Sequence, residues 1–474
     1  MAQPAIPLTR VLEATSGTAV RGQEGEAFTS VTIDSRAVTP GALFFAVKGE
    51  RFDGHDFAVS AVASGARGLV VARGRGVQLD VDATVIEVDD PVAALGALGR
   101  AHRRAMADLE LVAITGSNGK TTTKEMVAAI FSSAVGADAV LKTEGNLNNH
   151  LGVPLTLLRL HEGHRYAVVE MGMSGLGEIA YLTGLAQPDV AVIVSIAGVH
   201  LEQLGSIENV ARAKAEIFDG LGADGVGIVP ATEALLAPYG ARLARRLTFG
   251  PRASLPTVAY DEVQPGPTGL TLRLHLDGVT SAAGVVAHLP LIGRHNASNA
   301  AAAACAALAL DVGEGSILDG LATVQPAKHR AQLVQLGDRT VLDDCYNAAP
   351  ASMRAALDAL VEVTPPSAQK LALLGDMLEL GPDGPRLHAE LGAYAAERVD
   401  FLVTMGPQSA AIDEAAARLG DRRLHTEDPH DAAEKLREVS RAGDVILIKA
   451  SRGMRLERVI DALGELLSTP EASH

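Results

Sequence analysis

The chain of 474 residues contains no tryptophan, and its aromatics are nine phenylalanines and six tyrosines. Hydrophobic residues still make up 47%, so the cores have to be assembled from alanine, valine, leucine and isoleucine. Cysteine is scarcer. Cys305 falls in an alanine-rich helix pattern and Cys345 in an apolar strand pattern. Two thiols so far apart give no disulfide framework, and both are expected to be buried and free, in a reducing compartment. Basic residues fall short of acidic ones, 41 against 57, for a net charge of −16, which excludes the broad basic face that nucleic acid requires. Long apolar runs are missing as well. Residues 190–196 and 300–310 are too short to cross a bilayer, which takes roughly 20 apolar residues. Residues 1–10 lack the basic segment and apolar core of a signal peptide. The expectation is a cytoplasmic protein with no nucleic acid partner and no membrane insertion.

At this length two or three domains are expected. Near the start, a helix pattern at 8–14, short strand patterns at 31–33, 42–47 and 68–71, and a helix pattern at 57–63 predict a small α/β domain. Residues 91–106 have helix spacing and a basic end (Arg100, His102, Arg103, Arg104) and read as the connection onward. From about Asp108 a larger α/β unit begins, with apolar runs at 111–114, 166–170, 190–196 and 225–229. Continuous apolar runs are what parallel strands buried on both faces require. Residues 270–290 alternate around Asp277-Gly278, a hairpin signal, and 299–310 are almost pure alanine, a strong helix former. After Pro326 the alternation restarts, with strands at 340–345, 371–374, 401–404 and 445–449. This predicts a Rossmann-like third domain. The expected fold is α/β in three domains: 1–107, a central P-loop ATPase-like parallel-sheet domain at 108–325, and 326–474.

The chain is organised around residues 111–124. An apolar strand pattern stops at Thr115-Gly116, passes through Ser117-Asn118-Gly119, and opens at Lys120-Thr121-Thr122 onto a helix pattern. Strand, glycine turn and helix N-terminus make a phosphate cradle, because the glycines let backbone amides converge and the helix dipole favours an anion. Lys120 supplies a charge to β/γ-phosphates and Thr121 a hydroxyl to Mg²⁺. The general motif asks for a glycine where Ile114 stands. A nucleoside triphosphate is the expected ligand.

Further candidates follow from their places in this pattern. Glu170 ends an apolar strand on the edge where open α/β sheets bind ligands, and beside a phosphate loop it reads as a Mg²⁺ ligand. His200 follows another such strand; alone it reads as structural. In the helix pattern at 206–218, Glu208, Arg212 and Glu216 form a wet stripe, while Lys214 lies on the apolar face between Val210 and Ile217. Lys214 either snorkels to solvent or is buried with a lowered pKa; a neutral amine can take up CO₂ as a carbamate, an anionic oxygen ligand. Asn296 and Asn299 share a helix face and either read a base edge or cap the helix. Arg330 begins the third domain, within reach of a nucleotide lying across the junction, and Asp343-Asp344 end a strand.

Taken together, these residues resemble the Mur ligase family, ATP-dependent amide-bond ligases of peptidoglycan synthesis, over essentially the whole chain. Residues 115–122 look like that family's shorter phosphate loop, which accounts for Ile114. Within the family, several stretches resemble the branch that joins D-alanyl-D-alanine to UDP-N-acetylmuramoyl-tripeptide. They are Asp34-Ser35-Arg36, residues 40–56, Gly145-Asn146-Leu147-Asn148-Asn149, residues 343–347 and 374–381, and Lys449-Ala450-Ser451-Arg452. Ala349 and Ala450 depart from the pattern, which has Asn and Gly there. An Asp-Asn-Pro-Arg motif of the diaminopimelate-adding relatives is absent, as is the guanine-reading Asn-Lys-x-Asp of a GTPase switch. A folate ligase would not need the uridine-binding first domain that residues 28–72 resemble.

The resemblance implies an acyl-phosphate mechanism and a catalytic set of Lys120, Glu170, His200 and Lys214. ATP is held by Gly116, Ser117, Asn118, Gly119, Lys120, Thr121 and Thr122 on its phosphates, and by Asn296, Asn299, Arg330 and Asp344 on adenine and ribose. Two Mg²⁺ ions are implied, one on Thr121 and Glu170, the other on His200 and a Lys214 carbamylated by CO₂. Ser35, Arg36, Gly54 and His55 take the uridine nucleotide end, and Asn146, Asn148 and Asn149 approach the muramyl-peptide arm. Asn347, Ser451 and Arg452 serve the dipeptide. The chain is expected to work as a monomer.

Overall fold

The structure is a computed structural model and describes residues 5–23, 25–198 and 201–468. Among these residues the strands form three large sheets and one two-stranded ribbon. The first large sheet has five strands in the order Thr18–Arg21, Thr84–Val88, Gly68–Ala72, Leu43–Phe45 and Val31–Thr32. All pairs are parallel except the first, which is antiparallel.

The middle sheet has nine strands. Its parallel part runs Val140–Lys142, Tyr166–Glu170, Glu110–Thr115, Val190–Ile193, Val226–Pro230, Arg245–Pro251 and Val258–Gly266. Gly269–Leu276 and Val285–Leu289 then add on antiparallel as the expected hairpin. The central strand shows why its sequence is apolar from Leu111 to Ile114. Val112 and Ile114 enter one core and Leu111 and Ala113 the other, so neither face meets water. Register decides what stands beside the end of that strand: Glu170 pairs opposite Ile114 and Ile193 opposite Thr115. The chain leaving Thr115 therefore emerges between the end of Glu170's strand and the segment after Ile193.

Two helices cover one face. Lys120–Val135 follows the central strand, and Asn296–Ala309 packs beside it with Ala297 and every residue from Ala300 to Ala307 buried. The next helix, Glu314–Thr323, lies on the Lys120–Val135 backbone at Gly320, where a Cβ would run into the main chain of Ile130. Small side chains let these helices approach this closely. The third sheet has six strands, ordered Gln332–Leu336, Arg339–Asp343, Val445–Lys449, Lys370–Gly375, Phe401–Met405 and Arg423–Thr426. Only the first pair is antiparallel.

Where expectation and structure differ, the reason is local. The run at 190–196 is strand only to Ile193, because Ser195 and Ala197 bond to the phosphate loop instead of to a neighbouring strand. Strands at Arg245–Pro251, Val258–Gly266 and Arg423–Thr426 carry too many charged or partly exposed residues to be seen as apolar runs. The helix bearing Lys214 spans Ile207–Ala215 and gives way to a 3₁₀ turn at Glu216–Gly220. Glu216 is not part of a wet stripe, since its carboxylate accepts the Gly177 and Ala180 amides.

The units are tied to one another by named contacts. Helix Pro91–Arg104 leaves the first sheet, and its Arg103 is buried against the middle unit. That guanidinium donates to Ala186 O (3.2 Å), Gln187 O (3.4 Å) and Asp189 Oδ2 (3.1 Å). The neighbouring His102 Nε2 meets Leu160 O at 2.8 Å. Between the middle and third units, Arg294 pairs with Glu362 at 2.6 Å. No helix among the described residues is long and apolar enough to cross a membrane. Arg103→Met keeps the bulk of the side chain but removes the donors. It is expected to cost about 2 kcal/mol, since a hydrogen-bonded buried charge is lost and its acceptors are stranded, read as a lower denaturant midpoint with an unchanged circular dichroism spectrum.

Candidate active site

The phosphate loop is held from one side. Ser117 N–H donates to Ser195 O at 2.8 Å. Asn118 N–H donates to Ser195 Oγ, which donates back to Asn118 O, each at 2.9 Å. Ser117 Oγ bonds both backbone groups of Ala197. With those two amides committed, the donors left for an anion are at the helix start, where the first amides have no intrahelical acceptor. Gly119 makes the turn possible. It adopts φ +83°, and a Cβ there would lie 2.5 Å from Asn299 Oδ1 and 2.9 Å from Val194 Cγ1. Both the backbone conformation and the space demand glycine.

Lys120 folds back on its own loop, donating from Nζ to Gly116 O (2.7 Å) and Ser117 O (3.3 Å). One residue on, Thr121 Oγ1 donates to Glu170 Oε2 at 2.8 Å, while Asn148 Nδ2 donates to Glu170 Oε1 at 2.8 Å. Thr121 and Glu170 are both buried. A hydroxyl and a carboxylate side by side, below a helix N-terminus, form a hard-oxygen pair that fits Mg²⁺. Burial pushes the Lys120 ammonium pKa down, against the pull of Glu170, and Arg330 pushes it down further.

Lys214 does not snorkel. It is 2% exposed, and burial, with a contribution from Lys120, holds its pKa well below the ordinary lysine value. His200, the histidine candidate on this edge, lies outside the described residues.

The loop faces a cleft of about 270 Å³ between the middle and third units. Asn296, Asn299, Arg330, Asp344 and Asn347 all line it together with residues 117–122. Asn296 is not the helix cap: its Nδ2 donates to Ile292 O at 2.8 Å, and its Oδ1 accepts from Asn299 Nδ2 at 2.8 Å. Asn299 is thereby aimed at the loop. Arg330 is fixed to the third unit by its surroundings. Its guanidinium stacks on the Tyr346 ring at 4.1 Å, the Ala331 amide donates to Asp344 Oδ1 (3.1 Å), and His329 Nδ1 meets Asp343 Oδ2 (2.6 Å). Asp344 also takes the buried Lys449 ammonium at 2.5 Å.

The substrate-side candidates are spread more widely. Ser451 is buried, with its Oγ accepting from Leu378 N–H at 2.9 Å, whereas Arg452 is exposed and pairs with Glu457. Asn149 is an exposed turn residue whose Oδ1 accepts the Leu151 and Gly152 amides, and Asn146 is exposed beside it. In the first unit, Ser35 and Arg36 lie in a 3₁₀ turn capped by Asp34. Arg36 grips Asp34 through two nitrogens, and this bond lowers the Asp34 pKa to about 2. Gly54 is buried and His55 spans two elements: Nδ1 meets Asp53 Oδ1 at 2.6 Å and Nε2 accepts the Ala72 amide at 3.0 Å. His55 is therefore a strut that shapes its loop. Two residues that the sequence did not single out as site residues complete the site. Lys449 stood in a recognised stretch as the last residue of a strand next to Asp344's. Ser195 carries no signal beyond being the single polar residue in an apolar strand run.

Three family models match in succession: the Mur ligase family catalytic domain at 27–103, the Mur ligase middle domain at 114–307 and the Mur ligase glutamate ligase domain at 329–452. The UDP-N-acetylmuramoyl-tripeptide–D-alanyl-D-alanine ligase of Escherichia coli K12 is 38% identical over 442 residues, covering 92% of this chain and 94% of its own. This chain belongs to the Mur ligase family. Its fold is also that of a MurF crystal structure from Acinetobacter baumannii, with a TM-score of 0.87 and 33% identity over 98% of this chain and 100% of that one. A MurF ligase from Thermotoga maritima in complex with ADP superposes with a TM-score of 0.80 and 28% identity, over 92% and 97% of the two chains. In this Mur ligase the middle-domain match contains the loop, Glu170, Lys214 and both asparagines, and the third match contains Arg330 and Asp344.

Two outcomes test this geometry. Gly119→Ala puts a methyl group against Asn299 and Val194 and is expected to abolish ADP binding in a calorimetric titration of the folded variant. The second concerns Lys214, whose depressed pKa means that the unfolded chain binds a proton the folded chain releases. Between the two pKa values stability therefore rises with pH. Lys214→Met removes that term, so in bicarbonate-free buffer its stability advantage over the wild type should shrink as pH climbs towards the ordinary lysine value. An advantage that stays constant would mean Lys214 is charged in the folded protein.

Proposed function

We infer that this Mur ligase joins D-alanyl-D-alanine to UDP-N-acetylmuramoyl-tripeptide with ATP, releasing ADP and phosphate. The observation that carries the reading is the Thr121–Glu170 pair under the phosphate loop, with Thr121 lining one cleft together with Arg330, Asp344 and Asn347. The named relatives supply the two substrates.

The tripeptide's terminal carboxylate oxygen attacks the γ-phosphorus as the bond to ADP breaks, giving an acyl phosphate. The dipeptide amine then attacks the acyl carbon, its proton passes to solvent, and the bond from that carbon to the phosphate oxygen breaks to release phosphate. Lys120 and the amides of the helix start hold the polyphosphate, and Arg330, riding on the third unit, brings a further cation to the charge that develops. Thr121 and Glu170 would hold a Mg²⁺, which when bound would neutralise charge on the polyphosphate. Lys214, buried and inclined to the neutral amine, is suited to accept CO₂ as a carbamate; with His200 it would hold a second Mg²⁺. Asn296 and Asn299 would take adenine and Asp344 the ribose. Ser35, Arg36 and the Gly54–His55 loop would take the uridine end, Asn146, Asn148 and Asn149 the muramyl-peptide arm, and Asn347, Ser451 and Arg452 the dipeptide. With the site divided among 1–107, 108–325 and 326–474 as functional domains, closure precedes chemistry. The same reading makes the chain a cytoplasmic monomer, and two buried free thiols suit a reducing compartment.

ATP hydrolysis is expected to need both the tripeptide nucleotide and D-alanyl-D-alanine, with the pentapeptide nucleotide as product by mass spectrometry. Hydrolysis without that product would refute the assignment. Lys214→Ala is expected to abolish turnover, with partial recovery on adding short carboxylates; full activity in that variant would rule out the carbamate.

A further inference from the structure

Behind Glu170 lies another buried lysine, which the chemistry above does not use. Lys124 is one turn into the helix Lys120–Val135 and 2% exposed. Its ammonium donates to Thr143 O at 2.7 Å and pairs with Glu125 Oε1 at 2.9 Å, while the other Glu125 oxygen takes Lys142. Two successive helix residues thus grip two successive residues where the strand Val140–Lys142 ends. Thr143 passes this hold on. Its Oγ1 accepts the Glu170 amide at 2.9 Å, and its own amide donates to Val168 O at 3.0 Å. Further along the same segment, Asn148 Nδ2 reaches the Glu170 carboxylate. The segment 143–148 therefore touches Glu170 twice, at the main chain and at Oε1, and Lys124 fastens its root.

We propose that Lys124 and Thr143 are positioning residues for the Glu170 carboxylate: Lys124 pins the 143–148 segment to the phosphate-loop helix, so that Thr143 and Asn148 hold Glu170 with Oε2 turned to Thr121. A lysine whose only task was surface charge would not be buried, because desolvating an ammonium is costly unless its hydrogen bonds are met. Here they are met by a carbonyl and a carboxylate that belong to different elements, so the lysine sets the distance between helix and segment. Both Thr121 and Lys124 lie on that helix, so the hydroxyl and the tether move as one body. The role rests on the reading of Thr121 and Glu170 as the holders of Mg²⁺.

The test uses the full chain and measures ADP affinity by calorimetry, with Mg²⁺ and in EDTA; the ratio is the metal-dependent gain. Lys124→Met and Thr143→Val are each expected to cut that gain about tenfold, the low end of what a partner behind a metal ligand contributes, and to leave the metal-free affinity as it is. Thr143→Ser, which keeps the hydroxyl, should restore the gain. A purely structural role would lower thermal stability without moving the ratio, and a wild-type ratio in the folded variants overturns the proposal. Where Lys124→Met does not fold, the contrast between Thr143→Val and Thr143→Ser decides. Glu170→Gln separates the two levels. If it loses the gain while the Lys124 and Thr143 variants keep it, only the positioning role falls; if it too keeps the gain, the Mg²⁺ reading falls with it.

Discussion

The middle of this molecule depends on one hydrogen bond, from the Thr121 hydroxyl to the Glu170 carboxylate. It joins the first turn of a helix to the last residue of the neighbouring strand, and both partners are buried. A buried carboxylate is costly unless its oxygens are satisfied. Thr121 satisfies one and Asn148 the other, so both oxygens are met away from bulk water while the group stays beside the loop. The bond exists only because of register. Opposite Ile114, Glu170 arrives level with the turn that leads to Thr121, and a slip of one residue would turn its side chain to the other face of the sheet.

The charge of the whole chain and the charge of the cleft have opposite signs. A protein with a net charge of −16 repels a polyphosphate at long range, yet Lys120 and Arg330 stand close enough to act on each other at the loop. Lys449 lies on the facing wall, neutralised by Asp344. The cations are contributed by different units. Lys120 comes with the middle sheet and Arg330 with the third, where Tyr346, Asp344 and His329 hold its segment in place. Attraction for a polyphosphate is then strongest when the two units face each other across the cleft, which couples ligand binding to their relative placement.

What was legible in the sequence follows from range. The phosphate loop could be read because strand, glycine turn and helix start are adjacent in the chain and their chemistry is local. Glu170 at a strand end and Lys214 on an apolar helix face could be read because periodicity alone places them there, but the spacing left Lys214 either snorkelling or buried, and the fold decides for burial. Residues whose role depends on a distant partner could not be read that way. His55 was placed at the uridine end by resemblance, and its bond to the Ala72 amide depends on a strand still to come. Ser195 is a strand residue by pattern, and only the folded structure shows its hydroxyl serving Asn118. Asn296 allowed two readings, cap or base reader. The structure removes the cap reading, since the amide turns back to Ile292 and forward to Asn299.

The scarcity of aromatic residues belongs to the same argument. Asn299 approaches Gly119 so closely that a methyl group would not fit between them. That approach requires the helix Asn296–Ala309 to lie almost directly on the sheet and beside the helix Lys120–Val135. Its buried positions from Ala300 to Ala307 are alanines and one cysteine. Side chains of leucine or phenylalanine size would hold two packed elements near the upper end of the usual spacing, about 10 Å, and would carry Asn299 away from the loop. An alanine face gives up the apolar area that larger side chains would bury, and the chain makes up the difference by burying nearly all of that face on neighbouring helices and strands. The low-complexity run that looks least informative in the sequence is thus what brings the two asparagines within reach of the nucleotide cleft.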